Sequence, residues 1–149
     1  MQPAKKKMTA LDEALGRSRG GFSSKLHIAV DALGNPLRFT LTQGQRSDVT
    51  QAPALLDSYQ PAAVVGDKAY DCDALIAIIE ARGAEVVIPS RRNRKEKREI
   101  DTNLYKDRNK IERFINRLKH YRRVATRYDK TARNYLAFVY VASINILLL

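Results

Sequence analysis

Apolar positions along the chain follow two periods. Over 25–30, KLHIAV, and 37–42, LRFTLT, they alternate, which predicts two strands. The six residues between, DALGNP, place Gly34-Asn35 ahead of Pro36, a turn composition, so the pair predicts a β-hairpin. After a polar loop, GQRSD at 44–48, residues 49–59 predict a short helix with Pro53 tolerated in its first turn. The apolar run 62–65 predicts a strand buried on both faces, ending in GDKAYD at 66–71. Residues 73–81 predict a helix that Gly83 stops, and 85–88 a further short strand closed by Pro89.

A basic connector, 90–101, opens with SRRNRKEKRE and leads to a long amphipathic helical pattern, YKDRNKIERFINRLK at 105–119. At about 100° per residue, Ile111, Phe114, Ile115 and Leu118 share one face. Lys106, Lys110, Arg113 and Arg117 share the opposite one, and Tyr105, Arg108, Glu112 and Lys119 line a strip bordering the apolar face. The closing stretch, 135–149, is apolar for 15 residues and broken by Ser143 and Asn145. A membrane span needs about 20 residues, so this run predicts a buried core helix.

The order of elements predicts an α/β fold with one mixed sheet carrying an antiparallel hairpin at its edge. Residues 1–21 read as a poorly ordered basic lead-in, with Arg17 and Arg19 between small residues, and 22–149 as the folded domain. In open α/β sheets, sites are built beyond the C-terminal ends of the strands, which singles out Asp67.

Charge sharpens this picture. The net charge is +11, and the segment 91–133 holds 17 lysines and arginines against six acids, so the rest of the chain is balanced. Such a block suits a polyanion, nucleic acid in preference to an anionic membrane. The single cysteine, Cys72, excludes a disulfide framework and fits a reducing compartment such as the cytoplasm. Cys72, His27 and His120 lack metal-ligand spacing and read as structural or surface residues. Lys5, Lys6 and Lys7 are followed by acids and not by an apolar run, so no secretion signal is read.

Glu112 is the one acid in its strip. A carboxylate at the border of a core is costly unless compensated. Arg108, four residues earlier, supplies the bland answer, a half-buried ion pair. The functional answer needs a second carboxylate, and Asp67 is the candidate. Two converging carboxylates in basic surroundings suit Mg²⁺, which takes few protein ligands and leaves positions for water and phosphate oxygens.

Tyr105, Arg108, Glu112 and Lys119 match at every position the Y-(2)-R-(3)-E-(6)-K signature of a large group of bacterial insertion-sequence DDE transposases, which this sequence resembles. GDKAYD resembles that group's motif holding the second catalytic aspartate, carried here by Asp67, and GRSRGGFSSKLHIAVDALGNPLRF resembles the stretch ahead of it. The resemblance runs from about Gly16 to the end. It implies a ribonuclease H-like fold and Mg²⁺- or Mn²⁺-dependent strand cleavage and transfer at transposon ends. Asp67 and Glu112 would be catalytic metal ligands. Lys119, with Arg122 and Arg123 of the basic block, would contact DNA, and Tyr105 and Arg108 would support Glu112 or the DNA.

The sequence departs from the family in one respect. The family's first aspartate lies on a first strand ahead of the hairpin, in an Asp-Ser-Thr-like context that is absent here. Asp31 begins a hairpin turn, Asp48 lies in a loop and Asp12 in no strand pattern. The expectation is therefore a partial domain lacking its first strand. It would be completed by an upstream transposase segment, assemble as a homo-oligomer on transposon-end and target DNA, and be inactive alone. The alternatives are a decayed remnant and a basic nucleic-acid-binding module without chemistry.

Overall fold

A computed structural model describes residues 14–18 and 21–149. The expected lead-in falls mostly outside them, Arg19 included, but its residues 16–18 form a strand. The strands are β1 (Gly16–Ser18), β2 (Gly21–Val30), β3 (Pro36–Gln43), β4 (Ala63–Val65) and β5 (Glu85–Val87). The helices are α1 (Ala52–Leu56), α2 (Asp73–Ala81), α3 (Thr102–Lys106), α4 (Arg108–Lys119), α5 (Arg122–Ala125) and α6 (Ala132–Leu148). The chain divides into two compact units. One comprises Met1–Leu26, Leu41–Arg46 and Arg117–Leu149, the other His27–Thr40 and Ser47–Asn116.

The α/β expectation holds, but the single sheet does not. Among the described residues there are two sheets, an antiparallel β1-β2-β3 and a parallel β4-β5 pair. β4 is three residues long, bounded by Pro61 and by the turn at Asp67, so it offers little edge. Side chains, not a ladder, bridge β3 to the 52–59 segment. Arg38 Nη1 donates to the Ala54 carbonyl at 2.6 Å and Tyr59 Oη to that of Leu37 at 3.1 Å.

The hairpin turn is built as its composition demands. Asp31 Oδ1 accepts from the amides of Leu33 and Asn35 at 2.8 and 2.9 Å, and its Oδ2 accepts from Asn35 Nδ2 at 3.0 Å. Gly34 sits at φ +92°, and a Cβ there would also come within 3.3 Å of Lys110 Cβ. Lys110 Nζ donates to the Ala32 carbonyl at 2.6 Å, tying the turn to α4.

β4, α2 and β5 form a compact βαβ unit in which Ala63, Val64 and Val65 pair with Glu85, Val86 and Val87. Leu75, Ile76 and Ile79 of α2 are buried with Ala52, Ala84, Val86 and Ile88. Gly83, at φ +70°, ends α2, its amide donating to the Glu80 carbonyl at 2.8 Å.

The predicted 105–119 helix is present with a break. Asp101 caps α3 by accepting from the amides of Asn103 and Leu104. The path then tightens at Asp107, whose amide reaches back three residues to Leu104, before α4 begins. Asp107 also binds Lys110 at 3.0 Å. Phe114 is buried, its ring 6.2 Å from that of Phe39.

The terminal helix departs from the expected core helix. Tyr135, Val139, Ala142, Ser143 and Ile146 of α6 are buried, but Tyr140, Val141, Ile144, Leu147 and Leu148 are exposed. The helix is apolar all round, so only half of its surface finds cover in its own unit. Ser143 is accommodated by bonding the Val139 carbonyl at 2.7 Å. Among the described residues no helix is long and apolar enough to cross a membrane.

Candidate active site

The parallel pair determines where Asp67 stands. Gly66 donates to the Val87 carbonyl at 3.2 Å, extending the ladder one step, and Asp67 follows at once. Its backbone is still extended, and its Oδ1 accepts from the Ala69 amide at 2.7 Å, capping a single 3₁₀ turn over Lys68–Tyr70. Asp67 is therefore half-buried beyond the C-terminal end of β4, where the order of elements placed it. Tyr70, at the end of the turn, packs against the apolar core. Burial, with the Asp48 and Asp67 carboxylates adding to it, pushes its phenol up to about 12.

The next acid, Asp71, does something the sequence did not disclose. Its side chain is 0% exposed and acts as the keystone of the basic connector. Arg94 Nε binds Asp71 Oδ2 at 2.7 Å, the Arg91 amide donates to the same oxygen at 2.7 Å, and Arg98 Nη2 approaches Oδ1 at 3.5 Å. Arg94 also reaches Asp73 at 2.6 Å. Burial pushes the Asp71 carboxyl up. The Arg94 and Arg91 hydrogen bonds and the charges of Arg94 and Arg98 outweigh it and hold the group below the usual carboxylate range. Arg98 further donates to the Ile88 carbonyl at 2.9 Å.

The connector is thus folded over the Asp67 turn. Arg91 donates from Nε to the Lys68 carbonyl at 3.2 Å and from Nη2 to that of Ala69 at 2.8 Å. Asp67, Lys68, Ala69, Arg91 and Arg92 line a cleft of about 410 Å³.

Three of the four strip residues form one chain of contacts. Arg108 Nη1 pairs with Glu112 Oε1 at 2.9 Å, and its guanidinium lies 5.6 Å from the centre of the Tyr105 ring. Glu112 is not pressed against the core as its border position suggested. Its side chain is 53% exposed, because the buried face of α4 narrows to Phe114 and Leu118. Lys119, the last residue of α4, is exposed. Asp67 and Glu112 are held by separate local partners, and among the described residues no group of three or more acids, histidines or cysteines could enclose a metal.

Arg122 and Arg123 are exposed on α5. Arg122 Nε donates to Tyr128 Oη at 3.2 Å, and Arg123 stacks 4.4 Å from the Phe138 ring centre. Asp31, an acid at a strand end, has both carboxylate oxygens engaged by the turn. Asp48 lies 3.8 Å from the buried Nδ1 of His27.

The family model described as the transposase DDE domain matches residues 12–147. The chain belongs to this transposase family. It is 42% identical over 122 residues to a protein of Brucella ovis named as a transposase for insertion sequence element IS6501, covering 80% of this chain and 94% of that one. It is 34% identical over 135 residues to one of Burkholderia cepacia named as a transposase for IS402, covering 83% of this chain but 61% of that relative. No solved structure gives a significant match. The transposase family accounts for the DDE resemblance read from the sequence, and DNA and a divalent metal are what such proteins generally work with.

Proposed function

We propose that the chain is the catalytic part of an insertion-sequence transposase on a ribonuclease H-like scaffold, cutting and joining DNA strands at the element's ends. The observation that carries this reading is Asp67, standing past the end of a parallel strand in a cleft of cations, on a chain of this family. Glu112 is the second acid of the pair, and Arg108, backed by the Tyr105 ring, orients its carboxylate. Lys119, Arg122 and Arg123 hold DNA phosphates.

The carboxylates fit a hard divalent cation. Asp67 engages Oδ1 and Glu112 engages Oε1, so among the described residues each keeps an oxygen free. Mg²⁺ or Mn²⁺ is commonly held by one or two carboxylates, with water and phosphate oxygens completing its shell. Bound there, the metal would polarise the phosphodiester and help activate the attacking hydroxyl. The turn-bound Asp31 is not free for such a role. The first acid of the set comes, on this reading, from an upstream transposase segment that completes the sheet, with a second copy joining on DNA.

The test is end cleavage in Mg²⁺ by a fusion of this chain to an upstream transposase segment. Cleavage by the fusion, lost in Asp67→Asn and Glu112→Gln with DNA binding intact, is expected, as is no cleavage by the chain alone. Cleavage surviving Glu112→Gln, or robust nicking by the isolated chain, would overturn the assignment. The local Arg108–Glu112 ion pair favours one other reading, a DNA-binding remnant without chemistry. No cleavage by any fusion, with DNA binding retained, would establish it.

A further inference from the structure

We propose that Lys68, Arg91 and Arg92 form a phosphate-binding subsite that holds one or two DNA phosphates beside Asp67. This rests on the transposase reading, and it concerns residues outside the Tyr105–Lys119 signature.

Three cations and one carboxylate line the cleft. Among the described residues, the side chains of Lys68 and Arg92 have no hydrogen-bond or ion-pair partner, and both are exposed. Arg91 is different. One edge of its guanidinium is fixed on the Lys68 and Ala69 carbonyls, while its Nη1 donors make no hydrogen bond or ion pair among the described residues. A guanidinium held this way has already lost much of its rotamer freedom, so an oxyanion meets a preorganised donor. Its neighbours are ordered too. The Arg91 amide and the Arg94 side chain are anchored on Asp71 at 2.7 Å each, and the Arg98 amide binds Ser90 Oγ at 2.8 Å.

The connector's cations therefore divide into two groups. Arg94 and Arg98 are paired with buried Asp71, Arg94 also with Asp73, and serve the fold, whereas Arg91 and Arg92 are carried by that anchor to the cleft. Lys95 and Lys97 belong to the same run but do not line it. An excess of positive charge on a fixed backbone suits a phosphodiester, whose oxygens accept from several donors at once. A strand bound there would lie within the reach of Asp67.

Fluorescence anisotropy with a short labelled DNA duplex tests the proposal through the salt dependence of binding. Removing two phosphate contacts lowers the slope of log K against log salt by about 1.8. The expected result is such a drop for the pair Arg91→Ala and Arg92→Ala, with the charge-matched pair Lys95→Ala and Lys97→Ala close to the parent chain. Arg91→Lys keeps the charge but not the fork, and weakens binding roughly tenfold, the loss of one charge-assisted hydrogen bond. Arg91→Ala gives up the two bonds to the Asp67 turn, but the Arg91 amide still anchors the connector on Asp71 and all substituted positions are exposed, so folding is expected to survive, and circular dichroism checks it. Equal drops for the two alanine pairs would mean a diffuse basic surface and overturn the subsite while leaving the transposase reading standing. A parent chain that does not bind DNA at all would overturn both.

Discussion

Asp71→Asn isolates the keystone of the basic connector. The carboxylate is fully buried and faces two guanidiniums, Arg94 at 2.7 Å and Arg98 at 3.5 Å. Removing one member of a buried pair costs about 3–5 kcal/mol, because the remaining charge is left uncompensated. Here the guanidiniums are 27% and 23% exposed, Arg94 keeps Asp73 at 2.6 Å, and asparagine keeps an acceptor for the Arg91 amide, so the low end, about 3 kcal/mol, applies. For a chain of this size that is roughly a 10 °C fall in Tm. The effect also has a pH signature. The folded-state pKa of Asp71 is lowered, so its stabilisation is fully present above the unfolded value near about 3.9 and is lost as pH falls through the folded value. Urea unfolding followed by circular dichroism, at neutral pH and in steps down to about pH 2, should show a constant gap between parent and variant above about pH 5 that closes below it. A gap under about 1 kcal/mol at neutral pH, or one that does not close in acid, would refute the keystone argument.

Glu112→Gln removes an exposed i,i+4 pair and should change stability by no more than about 0.5 kcal/mol in the same urea assay. A larger loss would mean that Glu112 is structural and that cleavage defects cannot be assigned to chemistry. Gly34→Ala places a Cβ at φ +92°, 3.3 Å from Lys110 Cβ, and should destabilise by about 1–2 kcal/mol. An unchanged urea midpoint would show that the turn relaxes freely.

The hairpin, the βαβ unit and the position of Asp67 were legible because each depends on local signals. Strand alternation, Gly34-Asn35-Pro36 and the Gly83 stop act within a few residues of where they are read. Glu112 was placed on the right helix but with the wrong burial, because a helical wheel gives the face and not its width. Only Phe114 and Leu118 are fully buried on α4. The Asp71 cluster was not legible at all. Its partners lie 20 to 27 residues away, in a run that reads as solvated charge. The nearest signal was the spacing of Asp71 and Asp73 around Cys72, which makes sense only once Arg94 is seen to span both. The terminal helix was read as core from its composition, yet composition cannot say how much apolar surface the neighbouring elements cover.

The same limit governs the basic segment. Read as sequence, its 17 cations are equivalent, and their sum sets the long-range field that draws a polyanion in. In the fold they are not equivalent. Arg94 and Arg98 close on Asp71, Arg108 on Glu112 and Lys110 on Asp107, while Arg117 donates to the Ile146 carbonyl and Arg127 to that of Lys130. Each of these already has a partner within the chain. Salt dependence counts phosphates that are neutralised, not charges that are present, so its slope should be smaller than the run of cations suggests. Where a phosphate can come to rest is decided by the cations the fold leaves without acids, and at the end of β4 these stand beside Asp67, one of the two acids we propose as metal ligands.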